Sequence, residues 1–158
     1  MRRISVKEEA CIGCGICQVY CTMEHSKSKD AIKAYLKEDP KPVSRIRVET
    51  NKPVSVSIRC QHCKDTPCVY ACLAGAMTLD KETGLVTHDP EKCMGCWTCV
   101  MVCPYGAVKP DSSGKVIAKC DLCPNLDVPA CVANCPNDAL VCEAVSYTHL
   151  TLPTNREV

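Results

Sequence analysis

Sixteen of the chain's 17 cysteines fall into four short groups, and this spacing constrains the fold more than any other feature. The groups are Cys11, Cys14, Cys17 and Cys21; Cys60, Cys63, Cys68 and Cys72; Cys93, Cys96, Cys99 and Cys103; and Cys120, Cys123, Cys131 and Cys135. Each opens with C-x2-C and closes with C-x3-C, while the middle gap runs from two residues to seven. What repeats is a chemical unit. After the last three groups the chain follows one plan, a turn of small residues leading into a short apolar stretch: Leu73 to Met77, Pro104 to Val108 and Pro136 to Leu140. The first group runs instead into Thr22-Met23-Glu24-His25.

The remaining composition leaves cysteine as the organiser of the interior. A chain of 158 residues is one domain or two small, closely packed ones. It has no Phe, one Trp (Trp97) and 4% aromatics, so large side chains can bury little apolar area. Cysteine at this density means disulfides, zinc or iron–sulfur clusters. Disulfides fit poorly, because Met1 to Cys14 has no apolar run of the length a secretory signal needs, and Arg2-Arg3 is not followed by the hydrophobic region of a twin-arginine signal. No stretch of about 20 apolar residues exists, so no membrane insertion is expected. The expected setting is a reducing cytoplasm, with peripheral attachment to a membrane complex left open. A formal charge of +1 and the lack of a basic stripe with interleaved aromatics argue against nucleic acid as a partner.

Zinc prefers two C-x2-C pairs drawn from different parts of a chain. Three thiolates within seven residues, as in Cys93 to Cys99, suit a larger object with several metal corners. The spacing C-x2-C-x2-C-x3-C-P is the ferredoxin pattern, in which the fourth cysteine ligates the other cluster. The third group has it in full, the first has the spacing without the proline, and the second and fourth widen the middle gap. The four steps from third to fourth cysteine span about 6 Å if helical and at most about 14 Å if extended. Two clusters sharing such a segment must be near neighbours, as electron tunnelling requires. A zinc-binding structural module remains the distant alternative.

These residues resemble the four-cluster ferredoxin-like electron-transfer subunits found with dimethyl sulfoxide reductase, formate dehydrogenase, hydrogenases and carbon monoxide dehydrogenase. The stretches MRRISVKEEACIGCGICQVYCTMEHSKSKD and CMGCWTCVMVCPYGA look most like the carbon monoxide dehydrogenase branch. The resemblance covers residues 1 to about 143 and implies an α+β fold of two ferredoxin-like units, with short helices and two-stranded hairpins around four [4Fe-4S] clusters. One unit would comprise residues 1–25 and 118–143 and the other residues 60–117, with 26–59 as an insertion. The implied ligand sets are Cys11, Cys14, Cys17 and Cys135; Cys21, Cys120, Cys123 and Cys131; Cys60, Cys63, Cys68 and Cys103; and Cys72, Cys93, Cys96 and Cys99.

The implied function is single-electron relay in anaerobic metabolism, with catalysis on another protein. No nucleophile–base pair, phosphate-binding loop or other substrate-activating motif is present in the chain. The expected partners are carbon monoxide dehydrogenase on one side and a hydrogenase or flavin oxidoreductase on the other. The alternative partner is the catalytic subunit of a molybdopterin oxidoreductase. Four oxidised clusters of charge about −2 each would take the formal +1 to about −7. Arg59, Lys64, Lys92 and Lys119, beside the cysteine loops, are then either charge partners or ordinary surface cations.

Between the first two groups, a short helix is expected around Ala31–Lys37 and a hairpin from Arg45–Val48 and Val54–Ile58. A brief strand is expected at Val116–Ala118. Cys142 reads as a free, partly buried thiol. His62 reads as a hydrogen-bonding or packing residue rather than an iron ligand, and His25 and His88 as surface residues. Trp97 could shield a cluster, contact a partner or simply pack. Gly13, Gly15 and Gly95 are expected to let the loops fold tightly and point amides at sulfur. Residues 145–158 stand apart. Val145 to Thr154 resembles the translation of a sequencing-library adapter, so a non-native tail is expected, with a genuine disordered tail as the alternative.

Overall fold

The computed structural model describes residues 2–144, so the adapter-like tail lies outside the described residues. The fold is a small α+β arrangement of five short helices and four separate two-stranded antiparallel sheets among the described residues. Strand β1 (Arg2–Val6) is followed by a 3-10 turn at Glu8–Ala10 and helix α1 (Ile16–Glu24). Helix α2 (Ala31–Leu36) and the hairpin β2 (Ile46–Asn51) and β3 (Val54–Arg59) come next. Helix α3 (Pro67–Tyr70) leads to β4 (Met77–Leu79) and β5 (Val86–His88), and helix α4 (Thr98–Val102) to β6 (Lys109–Pro110) and β7 (Ile117–Ala118). Helix α5 (Ala130–Ala133) and β8 (Leu140–Ala144) complete it.

The hairpin follows from alternating apolar and polar residues on both strands, and it pairs from Ile46 with Arg59 to Asn51 with Val54 around the turn Lys52-Pro53. Helix α2 starts where Asp30 accepts a hydrogen bond from Lys33 N at 2.9 Å, an N-cap that satisfies one of the helix's unpaired donors. The apolar stretches after the last three cysteine groups each lead into a strand: β4, β6 and β8. Cysteine spacing gives no sign of β1. It pairs with β8 from Arg2–Ala144 to Val6–Leu140 and joins the two ends of the described chain.

Two separate buried cores result. One gathers Ile4, Ile46, Leu122 and Leu140 around Cys17, Cys21, Cys120 and Cys131. The other gathers Met77, Val86, Val108 and Ile117 around Cys99. Helix α1 packs on α5 beside the first core, and α3 packs on α4 beside the second. The segment 26–59 is not a free-standing insertion, since Ile46 is part of the first core and Gln18 Oε1 on α1 accepts from Val48 N at 2.9 Å. Among the described residues no helix is long and apolar enough to cross a membrane.

Candidate metal centres

All four C-x2-C loops turn on the same backbone device. Their third residues are Gly13, His62, Gly95 and Leu122, with φ of 69°, 46°, 69° and 61°. A left-handed residue in such a loop turns successive amides toward one concave side, the geometry that receives anions and iron–sulfur groups. At Gly95 a side chain is also excluded by space, because a Cβ would lie 2.7 Å from the carbonyl oxygen of Lys115. His62 and Leu122 hold the same conformation at a cost of roughly 1–2 kcal/mol each. Burial of both side chains holds them there.

The third and fourth cysteines of the first group both lie on α1, so the four steps from Cys17 to Cys21 are helical, about 6 Å of rise. Folding brings cysteines of different groups together. Cys11, Cys14 and Cys17 line one small cavity with Cys135, floored by Val48 and Leu140. Cys93, Cys96 and Cys99 line another with Cys72, beside Met77 and Trp97. The thiols of Cys60 and Cys103 lie within electrostatic reach of Cys63 and Cys68. Those of Cys120, Cys21 and Cys123 act in the same way on Cys131. Burial first, and then neighbouring thiols, pushes Cys17 and Cys68 up to about 11. Burial also pushes Cys120 up to about 12, and Cys131 further in the same direction. Cys14 and Cys96 are the exposed members of their sets.

Sets of four soft sulfur donors suit a thiolate-bound metal or cluster, and two buried cations support an anionic occupant. Arg59 is 2% exposed and Lys119 4% exposed. Among the described residues neither forms an ion pair; Lys119 Nζ donates to the carbonyl of Cys120 at 2.8 Å, and Arg59 Nε and Nη1 have no partner. Arg59 feels the thiols of Cys120, Cys131 and Cys60. A buried cation without a counter-charge is costly, and an anionic cluster on these thiols removes the cost. The residues therefore fit iron–sulfur groups. Lys92, in contrast, is exposed and pairs with Asp89 at 3.2 Å.

Several hydrogen bonds reach the sulfurs directly. Arg45 N donates to Cys21 Sγ at 3.2 Å, Ala107 N to Cys103 Sγ at 3.4 Å and Thr98 Oγ1 to Cys96 Sγ at 3.4 Å. Such contacts tune cluster potential. His25 is not the surface residue expected from sequence. It caps α1, with Nδ1 2.8 Å from the Cys21 carbonyl oxygen and Nε2 3.2 Å from Asp121, which Arg45 also pairs. Burial alone would lower His25, but Asp121 and Cys21 outweigh it and raise the imidazole to about 9. Burial would raise Asp121, but His25 and Arg45 hold it well below the usual carboxylate range. Asp121 and Cys123 lie close enough to His25 to hold a metal ion, but Asp121 is already engaged by His25, Arg45 and the Cys123 backbone N–H.

His62 Nδ1 accepts from Val86 N at 3.1 Å, a hydrogen-bonding role, and burial first, then Lys119, pushes it down to about 3. His88 is half-buried in β5, paired with Met77. Trp97 packs against the second core and takes the left-handed position that starts α4, where the first group has Gly15. Cys142 is a half-buried free thiol in β8, opposite Ile4.

The model of the 4Fe-4S dicluster domain matches residues 53–145, a stretch holding three of the four cysteine groups. The electron transport protein HydN of Escherichia coli (strain K12) is 36% identical over 157 residues, covering 89% of this chain and 87% of that protein. The thiosulfate reductase electron transfer subunit PhsB of Salmonella typhi is 34% identical over 148 residues, covering 84% of this chain and 70% of that protein. Among solved structures, the active site complex BamBC of benzoyl coenzyme A reductase with 1,5-dienoyl-CoA is similar in fold. There the TM-score is 0.53 at 19% identity, over 99% of this chain and 83% of that one.

Proposed function

Because this chain belongs to the family of 4Fe-4S dicluster domains and is an iron–sulfur electron-transfer protein, we propose that it relays single electrons through four [4Fe-4S] clusters. The observation that supports this reading is that Cys135 joins Cys11, Cys14 and Cys17 around one cavity and Cys72 joins Cys93, Cys96 and Cys99 around another, with the remaining eight grouped cysteines as electrostatic neighbours across groups. The proposed ligands are Cys11, Cys14, Cys17 and Cys135; Cys21, Cys120, Cys123 and Cys131; Cys60, Cys63, Cys68 and Cys103; and Cys72, Cys93, Cys96 and Cys99. When bound, such a cluster supplies one-electron redox chemistry.

The protein's part is to hold these centres close and in order. Helix α1 carries a ligand of each of the first two sets, Cys17 and Cys21; α5 carries Cys131, with Cys135 two residues beyond its end; and α3 and α4 stand at the junction of the last two. Cys60 packs against the core that contains Cys120 and Cys131, which links the two inner sets. The exposed Cys14 and Cys96 mark the two ends as the places of electron entry and exit. Residues 1–25 with 118–143 and residues 60–117 form two ferredoxin-like units, a reading supported by the two separate cores.

Catalysis resides on a partner. The sequence resemblance favours carbon monoxide dehydrogenase as donor, with a hydrogenase or flavin oxidoreductase as acceptor. The name of the Salmonella relative favours a second reading, in which the partner is the catalytic subunit of a reductase; the sequence resemblance offers one of molybdopterin type. Anaerobic purification should give about sixteen irons per chain with matching acid-labile sulfide; zinc without sulfide overturns the reading. Replacing Cys103 by Ser should alter the centre held by Cys60, Cys63 and Cys68. Damage confined to the Cys93, Cys96 and Cys99 centre overturns the crossed ligation. Reduction by carbon monoxide dehydrogenase and its substrate, compared with reduction by a reductase subunit, separates the two partners.

A further inference from the structure

We propose that Arg59 is a positioning residue between the two inner centres, donating its buried N–H groups to their sulfur atoms and holding their potentials above the value that bare thiolate ligation would set. The inference rests on the four-cluster reading and assigns a residue that cysteine spacing does not include. Arg59 ends β3, opposite Ile46, and leads directly into Cys60. The strand therefore aims its side chain into the protein at the point where the second cysteine group begins. At 2% exposure it is shut off from water, and Nε and Nη1 have no acceptor among the described residues. Among the described residues no carboxylate pairs with it. Its electrostatic neighbours are the thiols of Cys120, Cys131 and Cys60, which belong to two different proposed sets.

A guanidinium presents five donors in a rigid fork and cannot be neutralised by losing a proton. Leaving two of those donors unpaired in the interior costs far more than a neutral amide would. Ligand sulfurs and the inorganic sulfides of clusters on these thiols are the acceptors that position supplies. The fixed positive charge stabilises the reduced form of each neighbouring centre, because that form carries the additional electron. Lys119, 4% exposed and hydrogen-bonded to the Cys120 carbonyl, adds a second buried positive charge next to Cys120. Two inner centres biased upward in this way give an electron an intermediate resting place between the exposed ends.

The test uses the full, cluster-loaded chain. Potentiometric titration followed by electron paramagnetic resonance should show two of the four one-electron steps moved to lower potential in Arg59→Met. A tenfold change in the reduction equilibrium corresponds to 59 mV for a one-electron couple, and at least that is expected. Arg59→Lys, which keeps the charge, should recover most of the shift. In the wild-type protein grown with arginine labelled by 15N only in the guanidinium, the two inner centres should show hyperfine coupling to 15N that Arg59→Lys abolishes. This measurement stands even if Arg59→Met does not assemble. Four unmoved potentials, or a shift confined to the outer two, overturn the inference. So does the absence of Arg59-dependent coupling in the wild type, which would leave the guanidinium facing the cleft it shares with Arg3 and Arg47. Absence of iron and sulfide from the wild-type protein would instead overturn the four-cluster reading itself.

Discussion

Gly95 answers to two constraints at once: a left-handed φ of 69° and a carbonyl oxygen of Lys115 where a Cβ would stand, 2.7 Å away. Gly114 has nearly the same φ, 66°, with nothing within 4 Å. Alanine at either position incurs the left-handed cost of roughly 1–2 kcal/mol, but only Gly95→Ala must also displace backbone. Gly95→Ala should therefore lose its visible cluster absorbance at a clearly lower temperature than Gly114→Ala. Equal loss in a thermal scan would show that the Lys115 carbonyl yields freely. The glycines of the first and third loops were legible because glycine signals positive φ. His62 and Leu122 fill the same place in the other two loops without that signal, and only the backbone reveals the shared turn. His25 was hidden for a related reason. Its partners are the Cys21 carbonyl one helical turn back and Asp121, 96 residues away, and one-dimensional spacing does not report the second.

Elements with local partners were readable and those with distant partners were not. The β2–β3 hairpin declares itself through alternation and a tight turn, and its ladder runs from Ile46–Arg59 to Asn51–Val54. The same pattern in Arg2–Val6 finds its partner only at Leu140–Ala144, at the other end of the described chain. Ile4 projects from that ladder into the core shared with Cys17, Cys21, Cys120 and Cys131, and is 4% exposed. Ile4→Ala removes a buried branched side chain at a cost of about 2–5 kcal/mol. On the four-cluster reading the loss belongs to the half of the molecule holding the sets proposed for Cys14 and Cys123. The variant should retain about half of about sixteen irons, with the centre at Cys72, Cys93, Cys96 and Cys99 spectroscopically intact. Uniform loss from all four centres would mean that the two cores unfold as one cooperative body.

On the four-cluster reading the whole molecule is a metal-dependent fold, because its cores contain thiols proposed as cluster ligands. Burial raises Cys17 and Cys68 to about 11 and Cys120 to about 12, from an ordinary value of 9.0. A thiol raised in the folded state stabilises the metal-free fold fully below its unfolded pKa. That contribution is lost as pH climbs from about 9 through the raised value. Cluster binding has the opposite sign, since each ligand must give up its proton and becomes a better competitor as pH rises. The two effects cross in the alkaline range: the empty protein weakens while its affinity for iron and sulfide grows. Reconstitution of the metal-free chain should therefore release protons and proceed more completely at pH 8.5 than at pH 7, by about tenfold per pH unit for each thiol that is still protonated. Proton release into a weakly buffered solution during anaerobic reconstitution gives the count directly. A yield independent of pH, with no proton release, would mean that the thiols are already ionised in the empty protein and that burial does not govern these sites.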